Sequence, residues 1–233
     1  MSCILFRNKY FTPELTRIRL LVDSKNVDHT LDHSTSNYTI HFDGSNVGKY
    51  RETDTTKPIN VYGASKLAAE YKIKEIWCNH IIVRTSWIFA AHGNNFLNTI
   101  IRLLKEQKTV TVVDDQIGCP TPARSIAKML LSLSDQVVNG REIWGTFHYC
   151  GRPETSWYDF AKEIFTCAGK LGCVLPPLEP ISTKDYESEV TRPLKVVMDC
   201  TAIRRECGID KPEWRPMIRE YVEANLAKEK QDK

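Results

Sequence analysis

Apolar side chains recur at helical spacing at Leu67, Tyr71, Ile73, Ile76 and Trp77 with few breakers between them, which predicts a helix opening near Tyr62 and running to about Asn79. Ile81-Ile82-Val83 follows as a short buried strand. A second apolar stripe at Phe96, Leu97, Ile100, Ile101 and Leu104 predicts another helix, and the β-branched run Thr109 to Val113 another strand. Thr121-Pro122 reads as a cap and first-turn proline opening a helix with Ile126, Met129, Leu130 and Leu133 on one face. Gly145 to Tyr149 is strand-like, and Thr155 or Ser156 caps the helix carrying Trp157, Phe160, Ala161, Ile164 and Phe165. Pro176, Pro177 and Pro180 mark a connection, Val196-Val197-Met198 a strand, Asp199 a helix cap, and the segment from about Pro212 to Lys228 a terminal helix. This alternation predicts an α/β fold. At 233 residues the chain can form one domain, or one domain with a small lobe, around a sizeable core.

Residues 1 to 41 break the pattern. They contain no glycine, one proline and one evident strand, Ile18 to Val22, with no strand-turn-helix unit after it. A dinucleotide site seats its pyrophosphate on a helix N-terminus behind a turn where only glycine lets the backbone come close enough. No glycine precedes Gly44, and neither GxGxxG nor GxxxGxG occurs anywhere in the chain.

Tyr62 and Lys66, four residues apart on the first predicted helix, share one face. A phenol with a pKa near 10 is a poor proton donor at neutral pH, but an ammonium within about 4 to 6 Å favours its anion and brings that value down. Spacing alone also describes many surface Tyr–Lys pairs. The surrounding sequence narrows the reading. Tyr50-Arg51-Glu52-Thr53-Asp54 and Pro58-Ile59-Asn60-Val61-Tyr62-Gly63-Ala64-Ser65-Lys66-Leu67-Ala68-Ala69-Glu70 resemble the dTDP-4-dehydrorhamnose reductases, extended members of the short-chain dehydrogenase/reductase superfamily. The resemblance continues in order through Arg84-Thr85-Ser86-Trp87-Ile88-Phe89, Gly93-Asn94-Asn95-Phe96, Asp114 to Thr121, Gly145 to Tyr149, Thr155 to Tyr158, and Arg192-Pro193 before Asp199. It covers the chain from about Phe42 onward.

The resemblance implies a partial NAD(P)-binding Rossmann-like sheet lacking its first βαβ units. Residues 42–233 would be the reductase-like region, with a small C-terminal substrate-binding lobe formed mainly by about 115–200, and 1–41 a divergent segment of unassigned role. It implies reduction of dTDP-4-dehydro-L-rhamnose to dTDP-L-rhamnose, in nucleotide-sugar and polysaccharide biosynthesis, with hydride from NADPH or NADH. Tyr62 would donate the proton, and Lys66 would tune Tyr62 and hold the nicotinamide ribose. The family's third catalytic member is a hydroxyl in a segment ending like Phe42-Asp43-Gly44. Ser34-Thr35 lies several residues upstream of that place, so Thr35 is the candidate, with a plain loop hydroxyl as its alternative. Trp87 would pack on the sugar or flank the cofactor, or else belong to the core; Arg192 would grip the diphosphate bidentately, or else form a surface ion pair. Gln116, Gly118 and Thr121 would shape the pocket turn, which Asp115 would cap.

Without a glycine-rich loop, weak or absent NADPH binding is expected of these residues alone. A chain lacking the central strands exposes sheet edges and apolar helix faces, so association, as a homo-oligomer or through an edge, is expected. Two other functions stay open: a truncated relative binding a nucleotide sugar or partner chain without turnover, and a regulatory subunit like the methionine adenosyltransferase β chain. The Asp115-to-Thr121 motif favours the reductase over the last.

Composition excludes more than it adds. The net charge of +3 is spread through interleaved acids and bases, giving nucleic-acid binding no support. Apolar runs such as Trp87 to Ala91 are far too short to span a membrane, and the stretch from Met1 to Lys9 lacks the form of a secretory signal, so a cytoplasmic location is expected. The 8 cysteines form no CxxC pair and read as reduced, mostly buried thiols. His29 and His33 share a helical spacing but no Cys or His cluster follows, so no metal site is assigned.

Overall fold

The computed structural model describes residues 2–7, 18–22, 41–188 and 190–229, the first two stretches as backbone. β1 (Ser2–Arg7) and β2 (Ile18–Val22) pair antiparallel, with Ile4 opposite Leu21. After α1 (Val61–Ile76), β3 (His80–Arg84) takes the centre of the main sheet; all five of its residues are buried. β4 (Ile88–Phe89), α2 (Phe96–Glu106), β5 (Val110–Val113), β6 (Ile117–Gly118) and β7 (Thr121–Pro122) lead to α3 (Ala123–Val138). β8 (Gly145–His148), β9 (Thr155–Ser156), α4 (Trp157–Lys170), β10 (Leu178–Ile181), α5 (Thr201–Cys207) and α6 (Arg215–Glu229) complete the order.

The main sheet runs β2-β1-β3-β8, with β3 and β8 parallel and β1 antiparallel to β3. Three two-stranded pairs surround it: β10 with β5 and β4 with β7, both parallel, and β6 with β9, antiparallel. The α/β expectation holds. Ser2–Arg7, passed over in the sequence as a brief apolar patch, is a strand because β3 offers it a fully buried neighbour.

Two cores divide the molecule. One packs Ile81 and Val83 of β3 and Phe147 of β8 against Ile126, Met129 and Leu133 of α3, with Met198 and Ile203 closing it. The other joins α2, α4 and α6 through Ile100, Phe160 and Ile218, with Trp87, Trp157 and Trp214 between them. The apolar stripes of α2 and α4 predicted from spacing are the faces buried here, and each helix is capped where its first free N–H groups need an acceptor. Asn95 accepts from Asn98 N, and Ser156 from Asp159 N.

Three local readings are corrected. Thr121 does not cap α3: its hydroxyl donates to Cys119 O and accepts from Gly151 N, spending the side chain on joining two loops. Val196-Val197-Met198 is not a strand but a tie, bridged singly to Tyr50 through Met198 and to Ile117 through Val196 N. The proline-rich connection contains β10, which accommodates Pro180 because each strand of a two-stranded pair is an edge.

Candidate active site on helix α1

Asn60 sets where α1 begins. Its side chain accepts from Gly63 N at 2.8 Å, and its Nδ2 donates to Thr191 O at 3.4 Å, fastening the segment that carries Arg192 to the helix start. Gly44 strengthens this junction: a Cβ there would sit 2.7 Å from the Pro193 side chain, so only glycine lets the two loops touch. Tyr62 stands in the first turn, 42% exposed, with Lys66 one turn on and half-buried. The Lys66 ammonium lies 5.1 Å from the Tyr62 ring centroid, over the ring face. The structure therefore brings Tyr62 and Lys66 together and places the Arg192 segment at the same helix end.

Glu70, one further turn along, is the only side chain on α1 buried to this depth, at 1% exposure. The expected apolar stripe is a core face only in part: Ile73 and Trp77 pack against Ile82 of β3, while Tyr71 and Ile76 are exposed. The deepest anchor of the helix is charge. Arg84, ending the apolar run of β3, donates from Nε at 3.1 Å and Nη2 at 2.8 Å to the Glu70 carboxylate, and His41 Nε2 lies 3.0 Å from it. Burial alone would raise the Glu70 carboxyl, but the hydrogen bonds from His41 and Arg84 outweigh it and hold the group well below the usual carboxylate range. Burial pushes the His41 imidazole down, against the opposing pull of the Glu70 carboxylate 3.0 Å from its Nε2. Behind this group the Arg84 guanidinium lies 5.7 Å from the Phe42 ring, which stacks on Tyr50 at 4.2 Å. His148 N donates to Glu52, and its own imidazole is pushed down to about 4 by burial and by the Arg84 charge. The sequence carried a signal for this anchor that spacing analysis passed over: a carboxylate on the Tyr62–Lys66 stripe and an arginine ending an apolar strand.

Trp87 leaves β3 at a positive φ of 46°, rare for a side chain of that size. It is 5% exposed, stacked on Trp157 at 3.5 Å and 9°. Gly118 closes its other side, since a Cβ there would meet the indole at 2.3 Å. Both indole faces thus meet protein, and the core alternative describes its surroundings. Asp115 accepts from Thr183 N and Oγ1, and Gln116 Nε2 donates to the same hydroxyl, so this turn is fixed to the loop after β10. Thr35, His29 and His33 lie outside the described residues. Among the described residues no group of three His, Cys, Asp or Glu is placed to hold a metal, and no helix is long and apolar enough to cross a membrane. A cavity of 460 Å³ opens elsewhere, lined by Lys49, Arg152, Asp199, Cys200, Arg204 and Lys211 among others and by none of the predicted site residues.

Comparison with known proteins decides the family. Residues 20–226 match the RmlD substrate binding domain, a stretch that begins upstream of Phe42. This chain belongs to the RmlD substrate binding domain family. A dTDP-4-dehydrorhamnose reductase of Aggregatibacter actinomycetemcomitans is 39% identical over 197 residues, covering 82% of this chain and 66% of that protein. The crystal structure of the Bacillus anthracis dTDP-4-dehydrorhamnose reductase in complex with NADP superimposes with a TM-score of 0.70 at 33% identity, over 79% of this chain and 62% of the other. The Clostridium acetobutylicum orthologue gives 0.72 at 32% identity, covering 80% and 63%. This RmlD-family chain thus spans slightly under two thirds of the length of these relatives, with an α/β fold that resembles these Rossmann-like reductases.

The described residues accommodate a dinucleotide of the kind in the Bacillus anthracis structure only in part. The Tyr62 hydroxyl and Lys66 ammonium are groups of the kind that hydrogen-bond a ribose. A pyrophosphate needs a glycine turn leading from a parallel strand into a helix N-terminus. Here β3 has parallel β8 on one side and, on the other, β1, antiparallel to it and paired in turn with antiparallel β2, and no glycine precedes Gly44. The residues on hand do not fit the whole cofactor.

Proposed function

We propose that this chain carries the substrate-binding and proton-donating part of a dTDP-4-dehydrorhamnose reductase, acting on dTDP-4-dehydro-L-rhamnose in the cytoplasm. The observation that carries this reading is the capped α1, on which Tyr62 and Lys66 meet beside the Arg192 segment in a chain of this family. As the 4-keto carbon is reduced, negative charge grows on its oxygen, and the Tyr62 hydroxyl supplies the proton that neutralises it. Lys66 provides the positive field favouring the phenolate left behind, and Arg192 pairs with the diphosphate. Trp87 shapes the site from behind, through its stack with Trp157. Thr35 is retained only as the hydroxyl that would accompany Tyr62. Hydride delivery is assigned to no residue of this chain, and NADPH affinity is expected to be weak for these residues alone. The exposed Val61, Tyr71 and Ile76 on α1 support association with another chain.

A second reading, nucleotide-sugar binding without turnover, is favoured because no pyrophosphate cradle is formed among the described residues. NADPH oxidation with dTDP-4-dehydro-L-rhamnose, beside calorimetric titration of the same sugar nucleotide, separates the two. Turnover abolished by Tyr62→Phe supports the reductase. Heat of binding without turnover selects the second reading, and neither binding nor turnover rejects both.

A further inference from the structure

Arg192 lies between two neighbours that are each pinned to a different part of the candidate site. On one side, Thr191 O accepts at 3.4 Å from Asn60 Nδ2 at the start of α1. On the other, Pro193 rests against Gly44, where φ is +81° and a Cβ would fall 2.7 Å from the proline Cβ and 3.3 Å from Leu194 N. The loop that carries Gly44 is itself braced, since Asp43 accepts from Ser45 N at 3.0 Å and pairs with the Lys57 ammonium at 3.3 Å. Asn60 differs from the other contacts because one amide serves both functional segments. Its Oδ1 caps α1 by accepting from Gly63 N at 2.8 Å, with Tyr62 in that first turn, while its Nδ2 holds Thr191. A flipped amide would set NH2 against N–H and C=O against C=O, so the two partners fix its orientation. We propose that Asn60 is a positioning residue that sets where Arg192 stands relative to Tyr62, and so tunes the grip on the ligand diphosphate through Arg192.

The inference rests on the reading of the site given above, in which Tyr62 meets the sugar and Arg192 the diphosphate of one sugar nucleotide. Those two ends are covalently joined, so a guanidinium misplaced at one end loses contact there or drags the keto group from the phenol at the other. Bidentate pairing with phosphate oxygens is directional, which makes the backbone on both sides of Arg192 part of its function. The choice of asparagine carries information beyond capping. Serine and aspartate cap a helix about as well, but serine is shorter and an aspartate carboxylate has no donor to offer Thr191 O. With the tie intact, the fold orders the Arg192 segment before any ligand arrives. Without it, that ordering is drawn from the binding free energy.

The test is calorimetric titration of dTDP into the whole chain and into Asn60→Ser, in which the shorter hydroxyl keeps the cap and drops the tie. The expected result is an affinity about 3- to 10-fold weaker with an unchanged urea midpoint. In an Arg192→Ala background the same serine substitution should bring no further loss, a coupling that a merely structural role of Asn60 would not produce. If Asn60→Ser lowers the midpoint, Gly44→Ala decides from the Pro193 side: its added Cβ displaces the proline, and it should weaken dTDP binding only while Arg192 is present. Wild-type affinity left unchanged by Asn60→Ser, or weakened equally with and without Arg192, overturns the positioning role and leaves the reading of the site standing. Absence of dTDP binding by the wild-type chain overturns that reading itself, and the positioning role with it.

Discussion

Replacing Glu70 by alanine should be among the most damaging single changes in the chain, although α1 presents little apolar surface to the core. The substitution strands the Arg84 guanidinium, 3% exposed, without its carboxylate and takes from His41 its neighbour at 3.0 Å. Breaking a buried pair by removing one partner costs about 3–5 kcal/mol, because an uncompensated charge stays in the interior. Lys72–Glu75, on the same helix but with side chains 73% and 67% exposed, provides the control. Exposed pairs are worth about 0–1 kcal/mol, so Glu75→Ala should scarcely register. Urea unfolding followed by far-ultraviolet circular dichroism would measure both, and the slope must stay constant for the midpoints to be compared. Combining Glu70→Ala with Arg84→Met should recover part of the loss, since the second change removes the stranded charge. If Glu70→Ala costs no more than Glu75→Ala, the view that charge rather than apolar burial anchors α1, and with it Tyr62 and Lys66, is wrong.

Acid should weaken the fold through His148. Its folded value is about 4 against an ordinary 6.5, so between those limits the unfolded chain binds the proton and the native chain does not; stability present above about 6.5 is lost as pH falls toward 4. The full loss is on the order of 3 kcal/mol, His41 acts in the same direction, and His148→Gln should flatten the dependence of the urea midpoint between about pH 7 and about pH 5. An unchanged slope in that variant would contradict the assignment. Gly118→Ala should cost at least about 1–3 kcal/mol, because the new Cβ meets the Trp87 indole at 2.3 Å and Trp157, stacked at 3.5 Å, blocks its retreat. Near-ultraviolet dichroism of the tryptophans, unaltered in that variant, would show that the stack yields more readily than argued.

The elements legible in the sequence are those whose own period records their burial. α2 and α4 carry apolar stripes that match the buried faces, and β3 is a short apolar run between polar flanks. The elements that escaped notice exist only through pairing. β4 with β7 and β6 with β9 are two residues long on each side, and Leu178–Ile181 becomes a strand because β5 lies beside it. Thr121 looked like a cap by its place before Pro122, but the loop at Gly151 competes for its hydroxyl. At the candidate site, Tyr62 and Lys66 were found because one helix carries both. The Glu70–Arg84–His41 group was not, because its members come from three segments that only the folded chain brings together.

The tie at residues 194–198 has a kinetic consequence. Ile117 N donates to Leu194 O, Val196 N donates back to Ile117 O, Tyr50 N donates to Val197 O, and the Lys195 ammonium reaches Val47 O, 148 residues away in sequence. Contacts of such separation carry a large loop-closure cost before they return any stabilisation. During synthesis the loop ahead of α1 must therefore wait, without its partner, until nearly the whole reductase-like region has left the ribosome. Sealing by this late segment makes the loop ahead of α1 one of the last parts of the molecule to acquire its shape.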